Sequence, residues 1–325
     1  MAGENLTLLD VAKRLDPDGS ASAIVELLNQ NNEMLMDIPY VEGNLPTGHR
    51  ITQRVGLPDV YFRKLNQGVP TSKSRTVQVD EACGMLEARG SIDVKLAALN
   101  GNSTAYRMQE NMAFIEAMNE TMLETVFYGD TALNPERFLG LSTRFSSLSA
   151  ENGQNIISGG GASNLTSIWL VGWAPTTVHG IYPKGSKAGL SHKDLGEGDD
   201  FDSNQNRYRA LMDQYVWENG IAVRDWRYIV RIPNIDVTAL TKNAGSGADL
   251  LDLLVRSLER IQSVSGVTPR FYANRTIRSF LRRQTLNKVS NTLTFDTVGG
   301  KPTVAFCDVP IRVVDRLTNA ESQVT

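Results

Sequence analysis

Two stretches in the first third of the chain alternate strictly between apolar and polar residues. Ile51 and Val55 oppose Arg50, Thr52 and Arg54, and Val77 and Val79 oppose Thr76, Gln78 and Asp80. A period of two is that of a β-strand with one polar face. Between them, Leu57 to Ser74 holds Pro58, Pro70 and the aromatic pair Tyr61 and Phe62. The pattern predicts a long two-stranded excursion with a broad tip. An isolated hairpin is marginal in water, so this one has to rest on another surface.

Residues 103–128 change to the helical period. Met108, Met112, Ile115, Met122 and Val126 fall three, four or seven residues apart, and Glu116, Glu120 and Glu124 line another face. Ser103 can cap this helix and Gly129 can end it. The expectation is a rod of about 40 Å whose methionine stripe faces the core. Upstream, Leu8, Val11, Ala12 and Leu15 mark a short helix stopped at Pro17-Asp18-Gly19-Ser20, and Ile24, Leu27 and Leu28 mark a second. Neither is long enough to be stable alone, so residues 1–45 read as an arm that packs onto something else.

Downstream, residues 165–182 read as strands carrying Trp169, Trp173 and Tyr182, followed by an acidic loop from Asp194 to Asp202. Asn219-Gly220 predicts a hairpin turn. Its outgoing strand would set Trp226, Tyr228, Val230 and Ile232 on one face. Leu250, Leu254, Leu258 and Ile261 mark a helix opened by Ser246 and Asp249 and ended by Gly266. A second runs from Arg275 to Leu286. Thr303 to Val314 reads as one closing strand, with Pro310 at an edge or bulge. The whole is a mixed α+β chain.

Composition narrows the function classes. In 325 residues, 33 Lys and Arg face 36 Asp and Glu, a formal charge of −3. That balance argues against a polybasic nucleic-acid binder and against an acidic disordered chain. The 41% apolar content suffices for a core, and the length suits two domains or one large elaborated one. No apolar run approaches the ~20 residues that span a bilayer, and the N-terminus has no export pattern. Synthesis in the cytoplasm and no membrane partner are expected. Cys83 and Cys307 are too few for a disulfide framework or a zinc site and read as inert buried thiols. His49, His179 and His192 form no metal motif, and neither a nucleophile elbow nor a phosphate-binding Gly-rich loop occurs. Gly159-Gly160-Gly161 reads as a flexible turn. Asp200, Asp202, Asn204 and Asn206 alternate as calcium-loop ligands would, but Gln205 and Leu211 stand where glycine and glutamate are needed. A solvated acidic loop is the better reading. No catalytic residue, metal or cofactor is expected.

Local charge is more telling than net charge. From His49 to Arg75 the chain carries Arg50, Arg54, Arg63, Lys64, Lys73 and Arg75 against Asp59 alone. From Arg270 to Lys288 it carries Arg270, Arg275, Arg278, Arg282, Arg283 and Lys288 with no acid. The second cluster suits a phosphate-contacting surface or a solvated, subunit-pairing face.

Several segments, in their order, carry a family resemblance: Asn31-Asn32-Glu33-Met34-Leu35-Met36-Asp37-Ile38-Pro39; Gly56-Leu57-Pro58 with Val69-Pro70-Thr71-Ser72-Lys73; Phe127-Tyr128-Gly129-Asp130 with Phe138-Leu139-Gly140-Leu141; and Gly220-Ile221-Ala222-Val223-Arg224-Asp225-Trp226-Arg227-Tyr228. The chain resembles the major capsid proteins of tailed bacteriophages, which have the Hong Kong 97-type fold, and most of all those of short-tailed phages. The resemblance implies an N-terminal arm (1–45), an extended E-loop (46–95), a P-domain (96–240) on a spine helix (103–128), and an A-domain with the closing strand (241–325). Part of 165–240 could belong to either domain.

It also implies a non-enzymatic subunit that assembles through hexamers and pentamers into an icosahedral shell around double-stranded phage DNA, bound without sequence specificity. The place of assembly would be the host cytoplasm and the final location the virion. Partners would be further copies of the chain, a scaffolding protein, a portal and a decoration protein. Inter-subunit contact candidates are Arg50, Arg54, Tyr61, Phe62, Arg63, Lys64, Lys73 and Arg75 on the E-loop. Facing them on a neighbour would be Glu116, Glu120 and Glu124, or the acidic loop with Asp199, Asp200 and Asp202. Arg275, Arg278, Arg282 and Arg283 would face DNA or the capsomer centre. Some members crosslink an E-loop lysine to an asparagine. Lys64 and Lys73 are available, but nothing selects an acceptor, so non-covalent assembly is expected. Two other readings stand beside this one: a cytoplasmic enzyme built on scattered acids such as Asp225 and Asp236, and a nucleic-acid binder using Arg270 to Lys288.

Overall fold

The computed structural model describes residues 33–98, 103–202, 204–242, 244, 246–263, 265–287, 293–298 and 301–325. The two arm helices expected before residue 30, and Lys288, lie outside the described residues. In chain order the strands are β1 (Tyr40–Glu42), β2 (Gly48–Gly56), β3 (Arg75–Ala82), β4 (Gly84–Asp93), β5 (Leu165–Trp173), β6 (Val178–Tyr182), β7 (Ser191–Phe201), β8 (Arg207–Val223), β9 (Ile229–Asp236), β10 (Thr268–Ala273), β11 (Leu293–Val298), β12 (Lys301–Phe306) and β13 (Val309–Val313). The helices are α1 (Met34–Asp37), α2 (Val94–Ala97), α3 (Ser103–Tyr128), α4 (Leu141–Arg144), α5 (Leu250–Leu258) and α6 (Arg275–Asn287).

β2 and β3 pair only with each other, and the other eleven described strands join in one branched sheet. The sheet is buried on both faces at its centre, which explains the consecutive apolar residues Ile168 to Val171 of β5. Its Ile168 and Leu170 enter one core with Leu250, Leu254, Ile277 and Leu281 of α5 and α6. Trp169, Val171 and Trp173 enter another with Met118, Met122, Val126 and Phe127 of α3. Successive strand residues point to opposite faces, so this one strand serves both cores. α3 has the expected span, but its methionine stripe is buried only in the C-terminal half. Met118 and Met122 are buried, whereas Met108 and Met112 are 65% and 61% exposed and Ile115 is also exposed. The methionine stripe is therefore core-facing over half its length, because the N-terminal half turns other residues to the sheet: Arg107 bonds Asp213 of β8 and Phe114 stacks on Tyr215.

Several expected turns fall elsewhere. Asn219-Gly220 is not a turn: β8 runs straight through it, pairing Ala210 to Asn219 with β4 and Gly220 to Val223 with β6. The dipeptide marks a change of partner. A Cβ on Gly220 would stand 2.6 Å from the Ala82 carbonyl oxygen, so glycine is required there by close approach rather than by a reversal. The acidic loop is strand β7, paired along its length with β8. The reversal lies at its end, where Asp202 accepts from the Asn204 and Asn206 amides at 2.8 and 2.7 Å and Gln205 takes a φ of 64°.

Trp226 to Tyr228 form a 3-10 turn capped by Asp225, and β9 starts only at Ile229. α5 stops at Leu258. Asp249 caps it by accepting from the Asp252 amide, and Gly266 sits in a later turn with φ 79°. The closing strand is two strands, β12 and β13, reversed at Cys307 and Asp308, both with positive φ.

Candidate assembly surfaces

The base of the β2–β3 hairpin is clamped to the body. Ile51 packs against Ile181 and Ala222. The Gln53 Nε2 donates to the Val223 and Arg224 carbonyls at 3.0 and 3.1 Å. Arg144 donates to both oxygens of the buried Glu81 carboxylate at 2.6 Å. His49 meets His179 edge to face, 5.9 Å between ring centroids. Burial pushes His179 down to about 4, with His49 and Arg224 adding to the effect. The same burial and Arg224 lower His49, against a raising pull from Glu81. At Cys83 the chain leaves the hairpin, and β4 joins the large sheet. The 46–95 stretch thus combines a hairpin with a body strand. Cys83 is half-buried, its thiol pushed up to about 11 by burial and then by Glu218. Cys307 is exposed, contrary to its reading as a buried thiol.

Beyond this clamp the tip stands in solvent. Leu57, Val60, Leu65 and above all Phe62 are exposed, and Tyr61 is half exposed. Arg54, Lys64, Lys73 and Arg75 are exposed as well, and the Arg63 Nε donates to the Gln67 carbonyl at 2.9 Å. Arg50 is different. It forms a two-pronged bond across the hairpin to Asp80 at 2.6 and 2.7 Å.

The acids expected to receive the hairpin have local partners. Arg316 reaches Glu120 at 3.6 Å and Glu124 at 3.1 Å, and Arg137 reaches Glu124 at 3.4 Å. Glu116 is half-buried. Asp199 pairs with Arg209 at 3.0 Å. Asp200 accepts from Ser91 and from the Tyr208 hydroxyl, and the Ser91 bond is the main reason its carboxyl stays below the usual range. Asp202 caps its own turn, and the Asn206 amide lowers its carboxyl most.

The arginine cluster is divided by the fold. Arg270 stands 3.6 Å from Asp37, and Arg275 stands 2.7 Å from Asp315. Arg278 is half-buried, and burial followed by Arg282 lowers its pKa. Arg282 and Arg283 face solvent, Arg283 over the Phe280 ring at 4.8 Å.

Sequence reasoning missed two charge centres. Asp37 of α1 meets Arg270, Arg312 at 3.3 Å and the Tyr272 hydroxyl at 3.1 Å. Arg107 bridges Asp194 and the buried Asp213 at 3.0 Å each, and His192 Nε2 lies 2.8 Å from Asp213. Partners this far apart in the chain leave no local spacing to read. Asp225 and Asp236, the acids considered for an enzyme, hold Arg227 at 2.7 Å and cap Thr238 at 2.8 Å. Among the described residues no group of three or more His, Cys, Asp or Glu could hold a metal ion, and no helix is long and apolar enough to cross a membrane.

The comparisons say what kind of subunit carries this basic hairpin on a branched sheet. A chain in the near-atomic-resolution structure of bacteriophage Epsilon15 is 35% identical, with a TM-score of 0.80 over 100% of this chain and 99% of that one. The bacteriophage JBD30 capsid matches at TM-score 0.52 and 9% identity over 90% of this chain and 93% of that one, a likeness of fold alone. A search of curated proteins finds no match. The molecule is an α+β phage capsid protein of the Hong Kong 97 type. Residues 16–325 match the family model of the major capsid protein GP7. The chain belongs to that family and associates with its own copies into the shell of a phage capsid.

Proposed function

We propose that the subunit closes an icosahedral shell around packaged double-stranded DNA through hexamers and pentamers, as a structural rather than catalytic protein. In this reading residues 1–45 are the arm, 46–95 the E-loop, 96–240 the P-domain and 241–325 the A-domain. The clamped hairpin with its exposed, cationic tip supports the reading most. Opposite charge on a neighbour would fix register and reject wrong contacts. Arg54, Lys64, Lys73 and Arg75 are exposed cations of this surface. Arg282 and Arg283 supply charge to DNA or to the capsomer centre. Assembly takes place in the host cytoplasm with a scaffolding protein and a portal, and a decoration protein reinforces a non-covalent shell.

Reversing Arg54 and Lys64 to glutamate tests the hairpin's role. The expected variant melts at the wild-type temperature but sediments as small species, with or without scaffolding protein. Normal shells from it would overturn the proposal.

A further inference from the structure

We infer that the hairpin tip docks as a knob in a socket: Phe62 of one subunit enters an apolar pocket between α3 and β4 of the next. The inference rests on the hairpin contact proposed above and names its receptor. The pocket has a volume of about 220 Å³ and is lined by Met85, Leu86, Met122 and Phe138, with Glu136 and Arg137 at its mouth. It is several times the ~30 Å³ of one water, enough for an aromatic side chain. Met122 and Phe138 form a buried floor, whereas Met85 is 64% exposed. Thioether sulfurs adapt to an aromatic ring and attract its edge.

Phe62 is the most exposed large apolar residue among the described residues, and Arg63 and Lys64 follow it. Around the socket Glu120 and Glu124 are bridged by Arg316 and Arg137, and exposed Glu136 lines it as well, so the cationic tip meets one more carboxylate than cation.

Phe62 does not fill the socket of its own subunit: it stands fully exposed. It opens beside Gly84, at the hairpin base, where Gly48 pairs with Ala82. Eight residue steps from Gly48 to Gly56 carry the tip about 27 Å from there. The chain from Gly56 to Phe62 spans at most about 20 Å. The hairpin thus carries Phe62 away from its own socket, and a second copy is the occupant that brings the same side chain to it. Knob and socket lie on different parts of one chain, so the contact is heterologous and closes rings when the rotation between copies closes.

Peroxide footprinting of the wild-type protein is the first test. Met85 should oxidise at least ~10-fold more slowly in shells than in free subunits, and equal rates would overturn the socket. Shells of the Phe62→Cys/Met85→Cys double variant should give a ladder of covalently joined subunits on oxidation. Either single variant, which retains Cys83 and Cys307, should not. Shells with Met85 protected but no such ladder would also overturn it. If the double variant does not assemble, Phe62→Ala shells decide, since Met85 oxidation should return to the free-subunit rate in them. Failure of the socket while the Arg54 and Lys64 reversal still blocks assembly leaves the hairpin contact standing. Failure of both removes the hairpin reading itself.

Discussion

Strands β2 and β5 have the same length and opposite fates. All nine residues of β5 are buried, whereas in β2 only Gly48 and Ile51 are. β5 feeds two cores, while β2 rests on the body through one isoleucine and a few polar bonds near its base. The body is stabilised by its own chain. The hairpin is held in place by its root, and its outer half is left for something else to cover. Ion pairs follow the same gradient. Arg231 and Glu321 are 3% and 4% exposed, Arg144 and Glu81 14% and 5%, Arg50 and Asp80 49% and 55%. One chemistry at three depths predicts three very different costs of breaking it.

The largest effect is expected in the body. Arg231 donates to Glu321 at 2.8 Å and to the Phe145 carbonyl at 2.7 Å, and its guanidinium lies 5.1 Å from the Trp169 ring centre. It ties the C-terminal segment to the sheet. Arg231→Met leaves Glu321 buried without its cation and should cost about 3–5 kcal/mol, read as a large drop in melting temperature or loss of soluble protein. Adding Glu321→Leu should recover much of it, because removing both charges removes the desolvation cost.

Breaking Arg144–Glu81 at the root sharpens the comparison. Arg144→Met should cost about 3 kcal/mol, but locally. Amide exchange should speed up across residues 48–82 while β5 and β9 stay protected. Equal loosening of both regions would show that hairpin and body are one cooperative unit.

The histidine contact at the same root predicts a pH dependence. His179 is 1% exposed, and its pKa falls from 6.5 to about 4. An unfolded or undocked chain therefore takes up the proton first as pH drops. The stabilisation is complete above pH 6.5 and is lost progressively toward pH 4, by up to ~1.4 kcal/mol per unit. His49 and Arg224 face the ring and oppose its charging, while Glu81 favours charge on His49. Hairpin exchange should accelerate between pH 6.5 and 4 in the wild type and should flatten in His179→Asn.

The same gradient decides what could be read in the residues. β2, β3 and α3 were legible because each keeps one period over many residues, and a period is a local property. Asn219-Gly220 misled because a strand that changes partner needs close approach as much as a turn needs positive φ, and glycine serves both. β7 was hidden because nearly all its residues are exposed, so its acids read as loop. The methionine stripe misled in the opposite way. Met108 and Met112 are spaced as core residues, yet no described part of the subunit buries them. The centre at Asp37 joins residues 235 positions apart, and the one at Asp213 draws Arg107 from 106 positions away, which no spacing reveals. The assembly surfaces were named by local charge, but their pairing was not. Arg50 looked like the other hairpin cations until Asp80 proved to be its partner.

Arg50 therefore gives the smallest effect and the sharpest control. Its pair with Asp80 is exposed on a ladder that solvent reaches from both sides, and such pairs gain little in water and less in salt. Arg50→Ala should leave the melting temperature unchanged. Because Asp80 already neutralises Arg50, the substitution should also slow assembly far less than Lys64→Ala, which removes an exposed cation of the tip beyond the ladder. Rates of shell formation by light scattering, compared at low and high salt, check this. If Arg50→Ala slows assembly as much as Lys64→Ala, the hairpin acts through its summed charge and not through the cations its own fold leaves free.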